Sequence, residues 1–335
     1  MRRSRSWKGK AGRSVNSSMT NGPFDLVLVG RAGVDLYSLD YGRTIKESER
    51  FAKYVGGTAA NVAVGAARLG LRTALATRVG DDELGDYIIG YLEKERVDVG
   101  HVRKDPAGRT GIVFAEILPG RDGKFVFYRE KAADLLVTDV DIPASLIKRT
   151  RALLVTGTGL SANPSARTIY NAMAVAEREG LTRILNLDWR PSLWSLPAEE
   201  RVSRYKKAIS MANVLIGNEG EYIAATGAKT LEAAIEQIRD SDRVLVVTSG
   251  EKGSTVYTQG RRIFVPGFKV KLVKGLGGGD GFIAGFVYGL SKKWTLAKAA
   301  KFGNAVGAIV VMGHACSESM PSYGEAAKFI RKNGN

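Results

Sequence analysis

Val273-Lys274-Gly275-Leu276-Gly277-Gly278-Gly279-Asp280-Gly281-Phe282-Ile283-Ala284-Gly285-Phe286 is the stretch on which the rest of the chain turns. A glycine run closes on one carboxylate, and an apolar, helix-like segment begins at once. Glycine lets a backbone approach an anion closely, and the first N–H groups of a helix have no intrahelical partner. Together they form a positively polarised cradle suited to phosphate. A carboxylate there would repel a merely anchored anion. It fits as the group that orients and deprotonates an attacking hydroxyl. The pattern implies a phosphotransferase site, although these residues taken alone would also make a capped helix behind a tight turn.

A second glycine-led segment lies far upstream: Gly56-Gly57-Thr58-Ala59-Ala60-Asn61-Val62-Ala63-Val64-Gly65-Ala66-Ala67-Arg68-Leu69-Gly70. In order and separation the two segments resemble the signatures of the ribokinase-like (PfkB) sugar kinases, with Gly278 where alanine is usual. The resemblance runs from about Phe24 to the C-terminus. It implies an α/β, ribokinase-like three-layer fold with a mostly parallel central sheet plus a small β-sheet lid. It also implies ATP and Mg²⁺ as cofactors, a sugar as acceptor, and a homodimer contact through the small sheet.

Composition is compatible with this. The chain has 335 residues and 44% hydrophobic content, enough for a sizeable core. No apolar run reaches the ~18 residues of a bilayer span, so no membrane partner is expected. The single cysteine, Cys316, leaves no internal disulfide and fits a reducing cytoplasm. His101 and His314 are too far apart in sequence to suggest a zinc cluster. The net charge of +16 invites a nucleic-acid partner. Part of it is local, because Arg2, Arg3, Arg5, Lys8, Lys10 and Arg13 stand in a Ser/Gly-rich head with no acidic residue. Residues 1–22 are expected to be a disordered basic head, with Met19 as a possible translation start, and residues 23–335 one kinase domain. A catalytically silent, kinase-fold nucleic-acid-binding protein is the alternative from another class. The retained Asp280 and Asn61 make nucleic acid the less favoured partner.

Short apolar runs at Phe24–Gly30, Thr73–Val79, Ala152–Thr156, Arg183–Asp188, Val214–Gly217 and Val244–Thr248 predict strands. Helical spacing at Asn61–Gly70, Ser165–Gly180 and Leu231–Asp240 alternates with them, which predicts a covered parallel sheet with ligands beyond its carboxyl edge. Two regions, near 35–55 and 108–130, break the alternation. They predict a small second sheet, with a turn at Pro119–Gly123, that the resemblance makes a lid over the sugar.

Asp280 is the expected base, with the N–H groups of Gly277, Gly278 and Gly279 stabilising charge on the transferring group. The family's early aspartate maps to Asp35, and its first-signature substrate positions to Gly56, Gly57 and Asn61. Arg129 matches a lid arginine of acid-sugar kinases. The Asn-x-x-Glu element maps to Asn218 and Glu221, implying that Glu221 helps to hold Mg²⁺. Thr248, Gly250 and Gly253 match the strand-turn bordering ATP, and Asn304 is placed toward the adenine. Gly157-Thr158-Gly159-Leu160 imitates a dinucleotide fingerprint, but Glu177 and Glu179 fall inside a helical pattern, which argues against NAD. No G-x-x-x-x-G-K-[ST] P-loop occurs.

Many relatives carry Asp-Thr where this chain has Lys274 and Gly275. That lysine, Phe127-Tyr128-Arg129 with Ala133-Asp134-Leu135, Asp188-Trp189-Arg190-Pro191, and Gly313–Pro321 look like the 5-dehydro-2-deoxygluconokinases of inositol catabolism. The implied reaction is ATP-dependent phosphorylation of a keto-deoxy sugar acid's terminal hydroxyl, 5-dehydro-2-deoxygluconate giving its 6-phosphate. The alternatives are a 2-dehydro-3-deoxygluconokinase or another PfkB sugar kinase (fructokinase or ribokinase). Lys274 would reach the phosphate or the substrate carboxylate, and Arg129 and Arg190 would neutralise an acidic substrate. His314 and Cys316 are left as structural, and no potassium activation is expected without the Asp-Thr pair.

Overall fold

Strands that are buried on both faces carry the molecule, as expected of a parallel sheet covered by helices. The computed structural model describes residues 24–118 and 123–333. The expected basic head and the turn residues at 119–122 lie outside the described residues.

The strands are β1 (Leu26–Val29), β2 (Gly33–Ser38), β3 (Phe51–Gly56), β4 (Thr73–Gly80), β5 (Asp98–Asp105), β6 (Ile112–Ala115), β7 (Phe125–Tyr128), β8 (Ala152–Thr156), β9 (Thr182–Asn186), β10 (Val214–Asn218), β11 (Val244–Thr248), β12 (Gly253–Thr258) and β13 (Arg261–Pro266). The helices are α1 (Thr58–Arg68), α2 (Glu83–Lys94), α3 (Ala144–Lys148), α4 (Ser165–Arg178), α5 (Ala198–Met211), α6 (Glu219–Thr226), α7 (Leu231–Ile238), α8 (Gly278–Ser291), α9 (Leu296–Val311) and α10 (Tyr323–Asn333).

The large sheet runs β13-β12-β11-β10-β9-β8-β1-β4-β5. It is parallel from β11 to β5 and antiparallel at the β12–β13 edge. Alternation along β1 divides the core: Leu26 and Leu28 face α1, α2, α8 and α9, while Val27 and Val29 face α4, α5 and α7. The sequence anticipated this α/β fold and the presence of a second small sheet. That sheet runs β3-β2-β6-β7, with only β2–β6 parallel. Strand occupies only the two ends of the 35–55 region, because residues between β2 and β3 turn on Asp40, whose carboxylate accepts from the Glu49 and Arg50 N–H groups, and on Thr44, whose carbonyl accepts from Ser48 Oγ. No helix of the described residues is long and apolar enough to cross a membrane.

Helices α8 and α9 meet at backbone distance. A Cβ added to Gly285 would lie 2.9 Å from Gly303 Cα, and one added to Gly307 would lie 2.6 Å from Gly278 O. Replacing a helical glycine by alanine gains about 1 kcal/mol of propensity. Forcing these backbones apart costs about 1–3 kcal/mol, so packing wins. Gly307→Ala is expected to lower the urea unfolding midpoint; a raised midpoint would show that the helices can separate without penalty.

Candidate functional site

The parallel strands deliver their carboxyl ends to one edge, where a cleft forms between the two sheets. The chain leaving β1 supplies Arg31, that leaving β8 supplies Thr158, and that leaving β9 supplies Asp188 and Arg190. The small sheet lends Asp35, Tyr37, Phe125 and Phe127, while α1 and α8 point Asn61 and Asp280 into the same space. Gly57, Leu276, Gly277 and Cys316 complete much of the wall.

Asp280 is the third residue of α8. Asn61 Nδ2 donates to Asp280 Oδ2 at 2.8 Å, joining residues from opposite halves of the chain. Withdrawal from water pushes the Asp280 carboxyl up to about 6, against the pull of the Asn61 hydrogen bond. Helix α8 opens at Gly277, whose φ of 81° is left-handed, and no side chain caps it. A Cβ at position 277 would also lie 2.3 Å from Cys316 Sγ, so only glycine fits. The first-turn N–H groups are therefore left for an external acceptor beside the carboxylate. A Cβ at position 278 would lie 2.9 Å from Val311 Cγ1, which gives a steric reason for glycine where alanine is usual.

Asp35 is buried in β2, and its carboxylate fills the space that a side chain at Gly56 would take, with a Cβ there only 2.0 Å from Asp35 Cγ. Burial raises its pKa, opposed by Arg31 at 3.9 Å and by the Tyr37 hydroxyl, which donates to Oδ2 at 3.3 Å. Asp35 Oδ1, Asn61 Oδ1 and Arg31 Nη1 are all buried without a hydrogen-bond partner. Buried polar atoms are normally paired, so three orphans converging on one cleft mark a place for a polyhydroxylated or charged ligand.

Of the residues expected around the substrate and the transferring group, Gly56, Gly278, Gly279, Lys274 and Arg129 do not line this cleft. Lys274 is 1% exposed and so not solvated, and it stands beside Cys316 and Tyr37, which line the cleft. Its Nζ lies 3.6 Å from Cys316 Sγ and 5.4 Å from the Tyr37 ring centroid, and burial lowers its pKa. Arg129 is also buried, with its guanidinium held by the Asp134 carboxylate and lying 3.4 Å from Thr158 O and Ser161 Oγ. Arg190 does line the cleft, its Nε 3.3 Å from Asp188 Oδ1.

A second group lies at the ends of β10 and β11, where Asn218 and Thr248 are register partners. Asn218 Oδ1 accepts from the Glu221 N–H at 3.0 Å, and Glu221 Oε2 accepts from the Asn218 N–H at 2.9 Å, a capping box that starts α6. Burial and then the nearby Asp188 push Glu221 up to about 7. Gly250 and Gly253 adopt positive φ (58° and 108°) around the turn after β11. Asn304 Nδ2 donates to Val265 O and Pro266 O, both at 3.1 Å, and so ties α9 to the end of β13.

Arg31, Thr158 and Asp188 escaped the sequence-based assignment. Arg31 stands in the same post-strand segment as Asp35. Thr158 lay in the glycine-flanked stretch weighed only as a dinucleotide fingerprint, yet its Oγ1 donates to Asp188 Oδ2 at 3.0 Å in the cleft wall. Cys316, expected to be merely structural, lines the cleft while remaining buried.

Comparison with known proteins agrees with this arrangement. The family described as pfkB family carbohydrate kinase matches residues 24–323. A 5-dehydro-2-deoxygluconokinase of Geobacillus kaustophilus (strain HTA426) is 35% identical over 326 residues, covering 93% of this chain and 95% of the relative. The crystal structure of a fructokinase from Vibrio cholerae O395 in fructose, ADP and calcium ion bound form superposes with a TM-score of 0.82 at 29% identity, over 92% of this chain and 99% of that one. An uncharacterized sugar kinase from Pyrococcus horikoshii in complex with ATP gives a TM-score of 0.80 at 28% identity, over 90% and 97% of the two chains.

A carboxyl raised from 3.8 to about 6 makes the folded state bind the extra proton, so stability falls as pH rises through that window and the cost persists above it. Asp280→Asn keeps an acceptor for Asn61 and removes the charge. It is expected to melt at a higher temperature than the parent at pH 8, the gap closing as pH is lowered toward 4. A lower melting temperature at pH 8 would contradict the assigned burial cost.

Proposed function

Because the chain belongs to the pfkB family of carbohydrate kinases, we propose that it phosphorylates the terminal hydroxyl of a keto-deoxy sugar acid, 5-dehydro-2-deoxygluconate, to its 6-phosphate. The observation that carries this is the pairing of Asp280, held by Asn61, with the free N–H groups of the helix end on which it sits. The similarity to 5-dehydro-2-deoxygluconokinases supports the choice of substrate.

In this scheme Asp35 and Asn61 accept or donate to the sugar's hydroxyls and fix its orientation. Asp280 takes the proton as the terminal oxygen forms its bond to the γ-phosphorus and the bond to the departing diphosphate breaks. A carboxylate of pKa near 6 suffices because the hydroxyl becomes acidic only as that bond forms. The N–H groups at Gly277, Gly278 and Gly279 hold the charge spread over the transferring oxygens. Lys274, buried behind the wall, adds positive potential to that turn without touching the substrate.

ATP binding is supported by the ATP- and ADP-bound kinases this chain resembles. Thr248, Gly250, Gly253 and Asn304 border the proposed nucleotide side. Among the described residues no group of three or more His, Cys, Asp or Glu is disposed to cage a metal. That suits Mg²⁺, which keeps its waters and binds through phosphates and one or two carboxylates. Glu221, beside Asp188, is the carboxylate that would hold it, with Asn218 beside the phosphates. When bound, the ion neutralises charge on the β- and γ-phosphates.

The small sheet is the proposed lid and dimer surface. Its outer face carries Phe114 and the exposed Val126 and Tyr128, with Phe114 and Tyr128 ring centroids 5.9 Å apart. A cytoplasmic location follows from the proposed reaction.

Assayed by ADP release with Mg²⁺ over a panel of acidic and neutral sugars, the protein is expected to favour 5-dehydro-2-deoxygluconate over 2-dehydro-3-deoxygluconate and fructose. Asp280→Asn should lose about 10²–10⁴-fold in kcat. The acid limb of kcat/KM should bend near pH 6, with activity lost below it as Asp280 protonates. Turnover indifferent to Asp280 would refute the mechanism, and a higher kcat/KM on another sugar would refute the substrate. Light scattering should give a dimer that Tyr128→Asp converts to monomer; an unchanged mass would remove the small sheet from the interface.

A further inference from the structure

Of the arginines at the cleft, Arg31 is the one with a donor buried without a partner, whereas the Arg190 side chain is 42% exposed to water. Arg129 is spent on Asp134, and Arg190 lies against Asp188 at 3.3 Å. Arg31 reaches the Asp35 carboxylate only at 3.9 Å, and its Nη1 is buried with no hydrogen-bond partner. We infer that Arg31 is the specificity-determining residue that grips the carboxylate of the sugar acid, an inference that rests on the acid-sugar substrate proposed above.

The position of Arg31 is built into the fold. The residue leaves the carboxyl end of β1, is 9% exposed, and lines the cleft beside Asp35. Gly33 leaves room both for the neighbouring strand and for the guanidinium, since a Cβ there would lie 2.7 Å from Gly111 O and 2.8 Å from Arg31 Nη1. Phe127 of the small sheet offers its ring 5.8 Å from the guanidinium carbon. A guanidinium confined this way presents a planar donor pair that matches a carboxylate better than a neutral hydroxyl. Asp35 Oδ1, equally unpartnered, takes an adjacent hydroxyl, so acid and alcohol are recognised side by side. A neutral hydroxyl or amide oxygen can accept from Nη1, but it offers neither the second acceptor nor the charge of a carboxylate.

The test is the ratio of kcat/KM for the sugar acid over its C1 amide, which is isosteric and uncharged. The parent protein is expected to prefer the acid. Arg31→Met should reduce the ratio by about 100-fold, mainly through KM for the acid. Arg31→Lys should restore part of it by keeping the charge. Turnover of the amide reports folded enzyme in every variant. If Arg31→Met does not fold, Gly33→Ala, which displaces the guanidinium, should depress the same ratio. A parent that prefers the amide overturns the acid-sugar substrate and the Arg31 assignment with it. A parent that prefers the acid, with that preference retained in the Arg31 and Gly33 variants or lost in Arg190→Met alone, overturns the Arg31 assignment only.

Discussion

The contact between the starting ends of α1 and α8 is the constraint on which the cleft depends. Each helix is anchored by its body: α1 lies under β1, and α8 is pressed backbone to backbone against α9. Between them a Cβ on Gly65 would fall 2.8 Å from Ala284 Cβ, so α1 and α8 are also close to one another. With both bodies fixed, their N-terminal turns meet, and Asn61 and Asp280 close the 2.8 Å bond that aims the carboxylate. A base carried on two packed helices holds its direction better than one on a free loop.

Charge in the cleft runs opposite to charge on the chain. The whole sequence carries +16, yet the cleft wall sets Asp35, Asp188 and Asp280 against Arg31 and Arg190. Burial above all holds Asp280, Asp35 and Glu221 above their ordinary pKa values, and the nearby Asp188 adds to it for Asp280 and Glu221. The protein thus keeps buried, under-paired polar groups where a ligand would sit, the usual relation between activity and stability.

Much of the fold was legible because apolar runs between turn residues are a local signal. β8 and β11 appear with the boundaries their apolar residues suggest, and α1 begins only three residues before the spacing implied. The edge strand β5 was not visible, since Asp98–Asp105 mixes charged and apolar residues and becomes a strand only by pairing with β4. In the site, Asp280 could be placed from its glycine context, and Asn61 and Asp35 through the resemblance to the sugar-kinase signatures. The fate of Arg129 and Lys274 could not, because it is decided by Asp134, Cys316 and Tyr37, contacts set by packing rather than by spacing. Arg31 went unassigned for the converse reason: an arginine after a strand becomes informative only once its neighbours are seen to leave it unpaired.

Strand β3 ends at Gly56 and helix α1 begins at Thr58, so a single residue, Gly57 with φ 97°, separates the small sheet from the helix that orients the base. That joint works as a crank. Any tilt of the sheet arrives as a twist on the first turn of α1, the turn that carries Asn61, with no slack to absorb it. Insertions between β2 and β3 can reshape the outer rim at little mechanical consequence. One extra residue at the joint would rotate Asn61 by about a quarter-turn of helix and uncouple the rim from the reaction centre.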